Sequence, residues 1–571
     1  MKQLHFTFGP VQEFVSEARK TADLWCGSYL ISYLAAHAID GALEAGAKEE
    51  DFFPRIAGNP LLAAVRWPKE HPKDANDPAA SVGSLPNRFS LLVNSDESGR
   101  ELARAADEGF GMAWLTAYDA CWRRLTEHHH PLRDRAGIWD RQVDSLWETS
   151  WVISEDHRAL AQRKLMRVFS PSEEPGRKCT VCGRREELGN RSFWQPLSRS
   201  LGAGFLNADK ERLCAVCLVK RTLPRVGREA FGWEVLGESF PSTPDLASDG
   251  WRRRVAAGSE LREAREALAA VAEKPFDRLE GGFFYPSYHE ELVEGAALEE
   301  LGKKLSALYS VAGAPRPTYA ILAMDGDNMG ARLSRLDEGG RKTLSERILD
   351  FSLWVRATVE RDGGASRLIY AGGEDVLALL PMDATLDAAW RVRELYKETF
   401  KGFDESHREK LGGDSTISAG LLYCPMTLPL RTAMREAHRL LDEDAKDGAG
   451  RDALAVGVWK GGGEILKVAR KWDDQDWVEE LLDMTAGEEP PYPSRFLYQA
   501  QEIAGGPAGD AGTLEKLLAL EYYGSREEKF KTRGMDEAEE RIASLVRISK
   551  KDDRLDPALF RLVRFFYEEG A

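Results

Sequence analysis

Residues 368–380 read Leu-Ile-Tyr-Ala-Gly-Gly-Glu-Asp-Val-Leu-Ala-Leu-Leu, which is two apolar runs on either side of Gly-Gly-Glu-Asp. Runs of this composition joined by a short glycine turn predict a β-hairpin, and the glycines leave room around its tip. The tip presents the carboxylates of Glu374 and Asp375. About fifty residues upstream, the apolar run 319–324 ends in Asp-Gly-Asp-Asn at 325–328, which brings a third carboxylate to the end of a neighbouring strand.

Three carboxylates at adjacent strand ends suit a site for two divalent cations. Nucleotidyl transfer needs one cation to activate the attacking hydroxyl and another to hold the leaving pyrophosphate, about 3.5–4 Å apart. Alone, Gly-Gly-Glu-Asp would also describe an ordinary hairpin turn, but its combination with Asp-Gly-Asp-Asn favours the catalytic interpretation. The predicted catalytic groups, which are also the ligands of two Mg²⁺ or Mn²⁺ ions, are Asp325, Glu374 and Asp375. The residues expected to line the nucleotide in the same segments are Gly326, Asn328, Gly372 and Gly373.

Two further cations lie in Ala-Lys-Asp-Gly-Ala-Gly-Arg at 445–451. This segment joins a predicted helix at 430–445 to a predicted strand at 453–459. Lys446 and Arg451 are therefore candidates for binding the triphosphate of a nucleotide. The alternative is that both are solvated charges that stabilise the dipole at a helix C-terminus.

Four of the seven cysteines form two Cys-x-x-Cys pairs. This spacing suits tetrahedral Zn²⁺, and Gly183 follows the first pair as in a zinc knuckle. A site closed by four thiolates has no open position for a substrate, so we predict a structural zinc and not a catalytic one. The predicted ligands are Cys179, Cys182, Cys214 and Cys217.

The composition indicates a folded, acidic protein. The chain has 571 residues, 43% of them hydrophobic, and a formal net charge of -16, which argues against a disordered chain and against indiscriminate binding to polyanions. No apolar run is long enough to cross a bilayer and no signal peptide is evident, so we expect a cytoplasmic protein with no membrane partner. Residues 158–228 carry 16 Lys and Arg against 6 Asp and Glu. This segment is either a solvated surface or a contact for RNA or an RNA-bearing partner.

The order of predicted elements indicates an α+β chain with two ferredoxin-like modules. The first module has predicted strands at 4–8, 61–67 and 88–93, with helices at 11–44 and 101–125, and it lacks an acidic hairpin. The second follows the pattern βαββαβ and carries the carboxylates. The predicted parts are a non-catalytic palm-like domain at 1–150, a zinc-binding and helical domain at 151–315, a catalytic palm domain at 316–462 and a C-terminal helical domain at 463–571.

Several motifs that follow one another along the chain resemble a single family. They are Phe-Gly-Pro-Val-Gln-Glu-Phe at 8–14, Ala-Arg-Lys-Thr at 18–21, Ser-Leu-Pro-Asn-Arg-Phe at 84–89, the paired cysteines, Met-Asp-Gly-Asp-Asn-Met-Gly at 324–330 and the Gly-Gly hairpin. On these motifs the chain resembles the large polymerase-like subunit of type III-B CRISPR effector complexes, the Cas ten family of Cmr type. The resemblance covers most of the chain.

The resemblance implies two palm domains of nucleotidyl-cyclase type, a zinc module and helical domains, assembled with other Cmr subunits on a CRISPR RNA. In that family, pairing of a target RNA with the guide activates synthesis of cyclic oligoadenylate from ATP, a messenger for antiviral defence. The resemblance also implies a second nucleotide in the non-catalytic half, near Gly9, Gln12 and Ser28.

Three features depart from the family pattern. Glu374 stands where the family usually has Asp, but related diguanylate cyclase hairpins accept either residue, so we expect activity. The spacing from Lys446 to Arg451 is one residue longer than in those cyclases. Many members begin with an HD nuclease domain, whereas this chain starts at the palm signature and has no His-Asp dipeptide, so we expect no DNase activity.

Two rival interpretations stay open on the sequence alone. The first is a synthase of another nucleotide messenger, which would share the hairpin chemistry. The second is a scaffold subunit of the ribonucleoprotein whose acidic site has decayed.

Overall fold

The computed structural model describes most of the chain. The described residues are 2–70, 78–156, 159–165, 174–202, 204–235, 240–293, 295–361, 363–486, 490–506, 511–524, 530–551 and 554–567. No helix within these ranges is both long and apolar enough to cross a membrane.

The first module is built on a four-stranded antiparallel sheet of order β2-β3-β1-β4. This is the strand order of a ferredoxin-like fold, with its helices on one face. Its elements are β1 Gln3–Gly9, α1 Gln12–Ser16, α2 Thr21–Glu44, β2 Phe52–Phe53, α3 Pro60–Glu70, β3 Arg88–Leu92, α4 Asp96–His128, α5 Ala136–Asp144 and β4 Glu148–Ser154.

The strand predicted at 61–67 is wrong, because this segment is helix α3. The side chain of Asn59 accepts hydrogen bonds from the backbone N–H groups of Leu61 and Leu62, both at 3.1 Å. Asn followed by Pro is a start signal for a helix, and it outweighs the short apolar run that suggested a strand. The strand that pairs with β3 is instead Phe52–Phe53.

The middle of the chain is largely helical. Its first cysteine pair lies in a turn closed by an antiparallel bridge between Lys178 and Glu186, and the second pair begins a helix. The helices are α6 Ala159–Leu165, α7 Arg191–Leu201, α8 Ala215–Thr222, α9 Gly227–Phe231, α10 Thr243–Ala257, α11 Arg262–Ala272, α12 His289–Leu292 and α13 Ala296–Ala312.

The second module has a six-stranded sheet of order β10-β9-β8-β5-β7-β6. Strands β5 to β8 form the ferredoxin-like core, β9 pairs in parallel with β8, and β10 pairs antiparallel to β9. The elements are β5 Thr318–Gly326, α14 Met329–Arg335, α15 Glu338–Val359, β6 Arg367–Gly372, β7 Asp375–Pro381, α16 Thr385–Leu411, β8 Ile417–Pro425, α17 Leu430–Arg439, β9 Ala453–Trp459 and β10 Ile465–Lys471.

Strand β10 corrects the expectation that the chain is helical from Gly463. Leu466, Val468 and Arg470 are buried and alternate with more exposed residues, which is the period of a strand with one buried face. The remaining elements are α18 Trp477–Ala486, α19 Ser494–Gly505, α20 Ala511–Tyr523, α21 Met535–Ser549, the short strands β11 Lys550–Lys551 and β12 Arg554–Leu555, and α22 Pro557–Tyr567.

Strand β5 is apolar throughout because both of its faces are buried. Tyr319, Ile321 and Ala323 belong to one hydrophobic core, shared with the first module and the middle helices. The residues that alternate with them belong to a second core, shared with α15, α16 and the C-terminal helices. A strand buried on both faces shows a continuous apolar run instead of alternation. The first carboxylate of β5 therefore comes at the C-terminal end of the strand, at Asp325.

Candidate active site and metal centre

The acidic site lies where strand β5 ends and the neighbouring strand β7 begins, at one end of the strands of the second sheet. Met324 pairs with Val376 in the antiparallel ladder, so Asp325 and Asp375 lie opposite each other at the strand ends. Gly373 in the hairpin turn has φ +70°, a left-handed conformation that favours glycine. Neighbouring strands thus bring together two of the three predicted catalytic carboxylates.

Asp325 perturbs the neighbouring Asp375. Asp375 is exposed at the start of β7, yet the protein atoms around its carboxylate, and then the hydrogen bond and negative charge of Asp325, raise its pKa well above the ordinary value. A carboxylate next to a like charge ionises less readily, and a bound cation relieves that repulsion. The pair therefore fits the divalent ions that the sequence predicts.

Glu374 stands back from this pair. Burial, and then the charge of Asp325, raise the pKa of Glu374. Among the described His, Cys, Asp and Glu residues, the four cysteines are the one group of three or more whose ligand atoms converge as in a metal site, so Glu374 does not complete such a group with the two aspartates. The side-chain stem of Glu374 instead packs against Gly326, where a Cβ would lie 2.8 Å from the Cβ of Glu374. Gly326 is thus required by close packing.

Lys446 reaches the acidic site from a π-helical segment, Leu440–Gly448, that continues α17. Its ammonium group forms an ion pair with Asp325. Burial alone would lower the pKa of Lys446, but Asp325 raises it above its ordinary value. A π-helical turn holds more residues than an α-helical turn and often occurs at functional sites, and Lys446 lies in the last turn of this one.

Arg451 lies in the turn before β9, with φ +67°. Its backbone N–H donates to the carbonyl of Ala445 at 3.2 Å, and its own carbonyl accepts a hydrogen bond from Lys471 at 2.6 Å. Its side chain has no hydrogen bond or ion pair among the described residues. The structure therefore unites Lys446, but not Arg451, with the carboxylates.

Asp327 has a role that the sequence analysis missed. Its buried carboxylate accepts hydrogen bonds from the hydroxyls of Thr416 and Ser418, both at 2.8 Å, and from the backbone N–H of Asp452 at 2.9 Å. These bonds fix the end of β5 to β8 and β9. The adjacent Asn328 has φ +57° and starts α14 with its side chain exposed. The second Asp of Asp-Gly-Asp-Asn was the available signal.

Ser28, one of the residues expected at a second nucleotide, is linked to strand β6 of the acidic hairpin through Gly83. Its hydroxyl is buried and has no hydrogen-bond partner among the described residues, and it adjoins Gly83. The Gly83 carbonyl accepts a hydrogen bond from Ala371 of β6 at 3.1 Å. Gly9 ends β1 and Gln12 begins α1, and no described hydrogen bond joins either residue to Ser28.

The four cysteines converge as the spacing predicts. All four are buried, and their sulfur atoms lie within 4.8 Å of one another. Sulfur atoms about 2.3 Å from a tetrahedral Zn²⁺ would be separated by about 3.8 Å, and the Sγ atoms of Cys182 and Cys214 are 3.8 Å apart. Backbone N–H groups of Val181 and Cys217 donate to the sulfur atoms of Cys179 and Cys214, both at 3.4 Å. The site fits a structural zinc.

Buried charges join the cysteine module to the first module. Arg221 of α8 donates to both carboxylate oxygens of Asp23, at 2.6 and 2.7 Å, and to Glu211 at 3.0 Å. On the other side, Arg431 of α17 donates to the carbonyl of Cys182 at 3.2 Å. The cysteine module therefore contacts both ferredoxin-like modules, which spacing along the chain did not predict.

Much of the positive charge at 158–228 is used within the chain. Basic side chains of this segment that pair with acidic groups include Arg184, Arg185, Arg191, Lys210, Arg212, Arg221 and Arg228. The RNA contact considered for this segment stays a prediction.

Comparison with known proteins identifies two family models in this chain. Residues 318–455 match the second palm domain of Cas10/Cmr2, and residues 3–119 match the N-terminal domain of the CRISPR-associated protein Cmr2. The Cmr subunit Cmr2 of Pyrococcus furiosus is 25% identical over 590 residues, which cover 86% of this chain. The chain spans 65% of the length of that relative.

Two solved structures share the fold. The type III-B Cmr-beta complex in its apo state contains a chain that superposes with a TM-score of 0.64 at 15% identity, covering 98% of this chain and 78% of that one. The same complex bound to cognate target RNA gives a TM-score of 0.65 at 16% identity, covering 99% and 83%. The predicted α+β fold class and the family resemblance are confirmed: two Cas10/Cmr2 family models, a Cmr2 relative and the Cmr-beta chains are all similar to this chain and support a Cas10 protein of Cmr type.

Proposed function

We propose that the chain is the nucleotidyl transferase of a type III-B effector complex and makes cyclic oligoadenylate from ATP when a target RNA pairs with the guide. The observation that carries this proposal is the ion-paired cluster at the sheet edge, where Asp325 and Asp375 meet Lys446. Carboxylates paired across two strands, with a cation beside them, suit metal-assisted transfer to a hydroxyl and binding of a triphosphate.

Each residue has a distinct part in the proposed reaction. Two Mg²⁺ or Mn²⁺ ions, when bound, would activate the attacking hydroxyl and stabilise the leaving pyrophosphate. Asp325 and Asp375 hold the ions, and Lys446 binds the triphosphate oxygens. Gly372 and Gly373 keep the hairpin tip open to the nucleotide. Glu374, set back from the aspartate pair, is placed to receive a proton or to complete the coordination of one ion.

The partners and the second nucleotide are also proposals. The name of the Pyrococcus furiosus relative and the RNA-bound Cmr-beta structure support assembly with other Cmr subunits, a CRISPR RNA and a target RNA. Such an assembly would act in the cytoplasm. The buried, unpartnered hydroxyl of Ser28 next to Gly83 supports a second ATP close to the hairpin, with Gly9 and Gln12 at the end of β1 and the start of α1.

Product analysis tests this function directly. The guide-loaded complex is incubated with target RNA, Mg²⁺ or Mn²⁺ and labelled ATP, and the products are identified by mass spectrometry. We expect cyclic oligoadenylate from the parent and none from Asp375→Asn, with complex assembly intact. Asp350→Asn is the matched control, because Asp350 is an exposed carboxylate of the same domain. A different nucleotide product would favour another messenger, and equal turnover by parent and Asp375→Asn would exclude this site as the catalyst.

A further inference from the structure

Tyr396 of α16 is a fully buried tyrosine beneath the acidic site. Its ring stacks on Phe400, with centroids 4.5 Å apart, and meets Phe351 edge to face at 5.0 Å. This packing on two sides fixes the ring, so the position of its hydroxyl is determined by the fold. Phenylalanine would fill the same space, and the hydroxyl therefore needs a separate explanation.

The Tyr396 hydroxyl has no hydrogen-bond partner among the described residues. A buried donor that stays unpaired is costly, and in native proteins such a group calls for an explanation. The phenol titrates near pH 10 in water, so at neutral pH it is a donor. Its environment contains Arg332, which can only donate, and the carboxylates of Asp325, Asp327 and Glu374.

The surroundings of Gly326 indicate which carboxylate can accept a hydrogen bond from the Tyr396 hydroxyl. A Cβ placed on Gly326 would lie 2.6 Å from the Tyr396 hydroxyl oxygen, 2.8 Å from the Cβ of Glu374 and 3.1 Å from its Cγ. The hydroxyl and the Glu374 stem therefore converge on one small space, which exists because residue 326 has no side chain. Glu374 is thus the carboxylate residue whose side-chain stem shares this space with the hydroxyl.

The other two carboxylates already have partners. Asp327 accepts three hydrogen bonds from the residues around it, and Asp325 is engaged by Lys446 and Asp375. Among the described residues, the Glu374 carboxylate accepts a hydrogen bond only from its own backbone N–H. Of the three carboxylates, Glu374 is thus the one that can still accept a hydrogen bond from Tyr396.

We propose that Tyr396 is a positioning residue that donates a hydrogen bond to Glu374 and holds its carboxylate at the edge of the metal site. The proposal deepens, and in its catalytic consequence rests on, the proposed nucleotidyl transfer. It gives the longer Glu374 side chain a defined place. An aspartate at position 374 would be one methylene shorter, so its carboxylate would not reach both the Tyr396 hydroxyl and the metal site.

The test uses Tyr396→Phe in the full-length chain, with Tyr423→Phe as the matched control. Tyr423 is likewise a buried tyrosine, but it lies in strand β8 and pairs with Ala320, near the end of β5 that is far from the acidic site. We expect Tyr396→Phe to lower ATP turnover by the guide-loaded complex about tenfold, the usual effect of losing a hydrogen bond to a charged group. Tyr423→Phe should change turnover less than about twofold.

A second readout is independent of activity. Binding of Mn²⁺ to the isolated chain, followed by electron paramagnetic resonance, should weaken about tenfold in Tyr396→Phe and stay unchanged in Tyr423→Phe. Both losses should shrink to less than about twofold when Tyr396→Phe is made in a Glu374→Asp background, because the acceptor is then out of reach.

The outcomes separate this inference from the proposed function. If the complex makes no nucleotide product but Tyr396→Phe weakens Mn²⁺ binding through Glu374, the function is wrong and the positioning role stands. If product forms and Tyr396→Phe matches Tyr423→Phe in both readouts, the positioning role is wrong and the function stands. Equal losses in the Glu374 and Glu374→Asp backgrounds would also overturn the role, because the effect would then not pass through Glu374.

Discussion

Gly420 of β8 offers a test of how the fold places Lys446. The backbone of α17 and the π-helical segment lies directly on this residue: a Cβ at Gly420 would be 2.4 Å from the carbonyl oxygen of Ala437 and 2.5 Å from the backbone nitrogen of Leu441. Both atoms belong to the backbone, so no side-chain rotation relieves the contact. Gly420→Ala should therefore push the segment that carries Lys446 away from the sheet.

The size of the effect follows from these distances. Reaching an ordinary contact of 3.4 Å requires the segment to retreat by about 1 Å, and overpacking of this kind costs about 1–3 kcal/mol. In a cooperative unit of about 150–250 residues, the midpoint of thermal unfolding should therefore fall by about 2–12 °C. A misplacement of about 1 Å can cost up to about a hundredfold in rate, so turnover of ATP by the guide-loaded complex should fall at least about tenfold.

The assay compares Gly420→Ala with Gly402→Ala by calorimetry and by ATP turnover. Gly402 lies within α16 with nothing near the position of its Cβ, so alanine there should stabilise the protein by about 0.5–1 kcal/mol and leave turnover unchanged. If Gly420→Ala is as stable as the parent or as Gly402→Ala, the close contact does not constrain the helix and the reasoning fails.

We expect elemental analysis to find one zinc per chain. Cys182→Ser should lose the metal and unfold at a lower temperature, because the metal supplies folding energy. The control variant Cys424→Ala should keep the zinc. Arg221→Met should destabilise the fold by about 3–5 kcal/mol, since it leaves buried carboxylates unpaired. Burial alone would raise the pKa of Asp23, but Arg221 holds it below its ordinary value. The stabilisation by the Arg221–Asp23 ion pair is therefore present above about pH 4 and is lost as the pH falls through the pKa of Asp23 in the folded protein. The difference in unfolding free energy between the parent and Arg221→Met should accordingly become smaller in acid. Glu374→Gln should lower ATP turnover strongly. Glu374→Asp keeps the charge but loses the hydrogen bond from Tyr396, so it should lower turnover about tenfold, as Tyr396→Phe does. A decayed site would instead leave the parent and both variants equally inactive.

The parts of the structure that sequence predicted best depend on local spacing. The acidic hairpin is recognisable because two apolar runs and a glycine turn are contiguous, and β5 because a strand buried on both faces is apolar throughout. The cysteine site is recognisable because two-residue spacing within each pair already limits the geometry to a metal knuckle. Where the local signal was ambiguous the prediction failed, as at 61–67, where an Asn-Pro helix start outweighs a short apolar run.

The sequence by itself therefore determined the family resemblance, the α+β class, the acidic hairpin and the thiolate set, since these depend on contiguous motifs. The tertiary structure decided what lies between distant segments. It added β10 to the palm sheet, tied Arg221 to Asp23 and placed Lys446, but not Arg451, on Asp325. It also set the Tyr396 hydroxyl beside the Glu374 stem. Such contacts depend on strand register and helix packing between residues tens to hundreds of positions apart, and no local period encodes them.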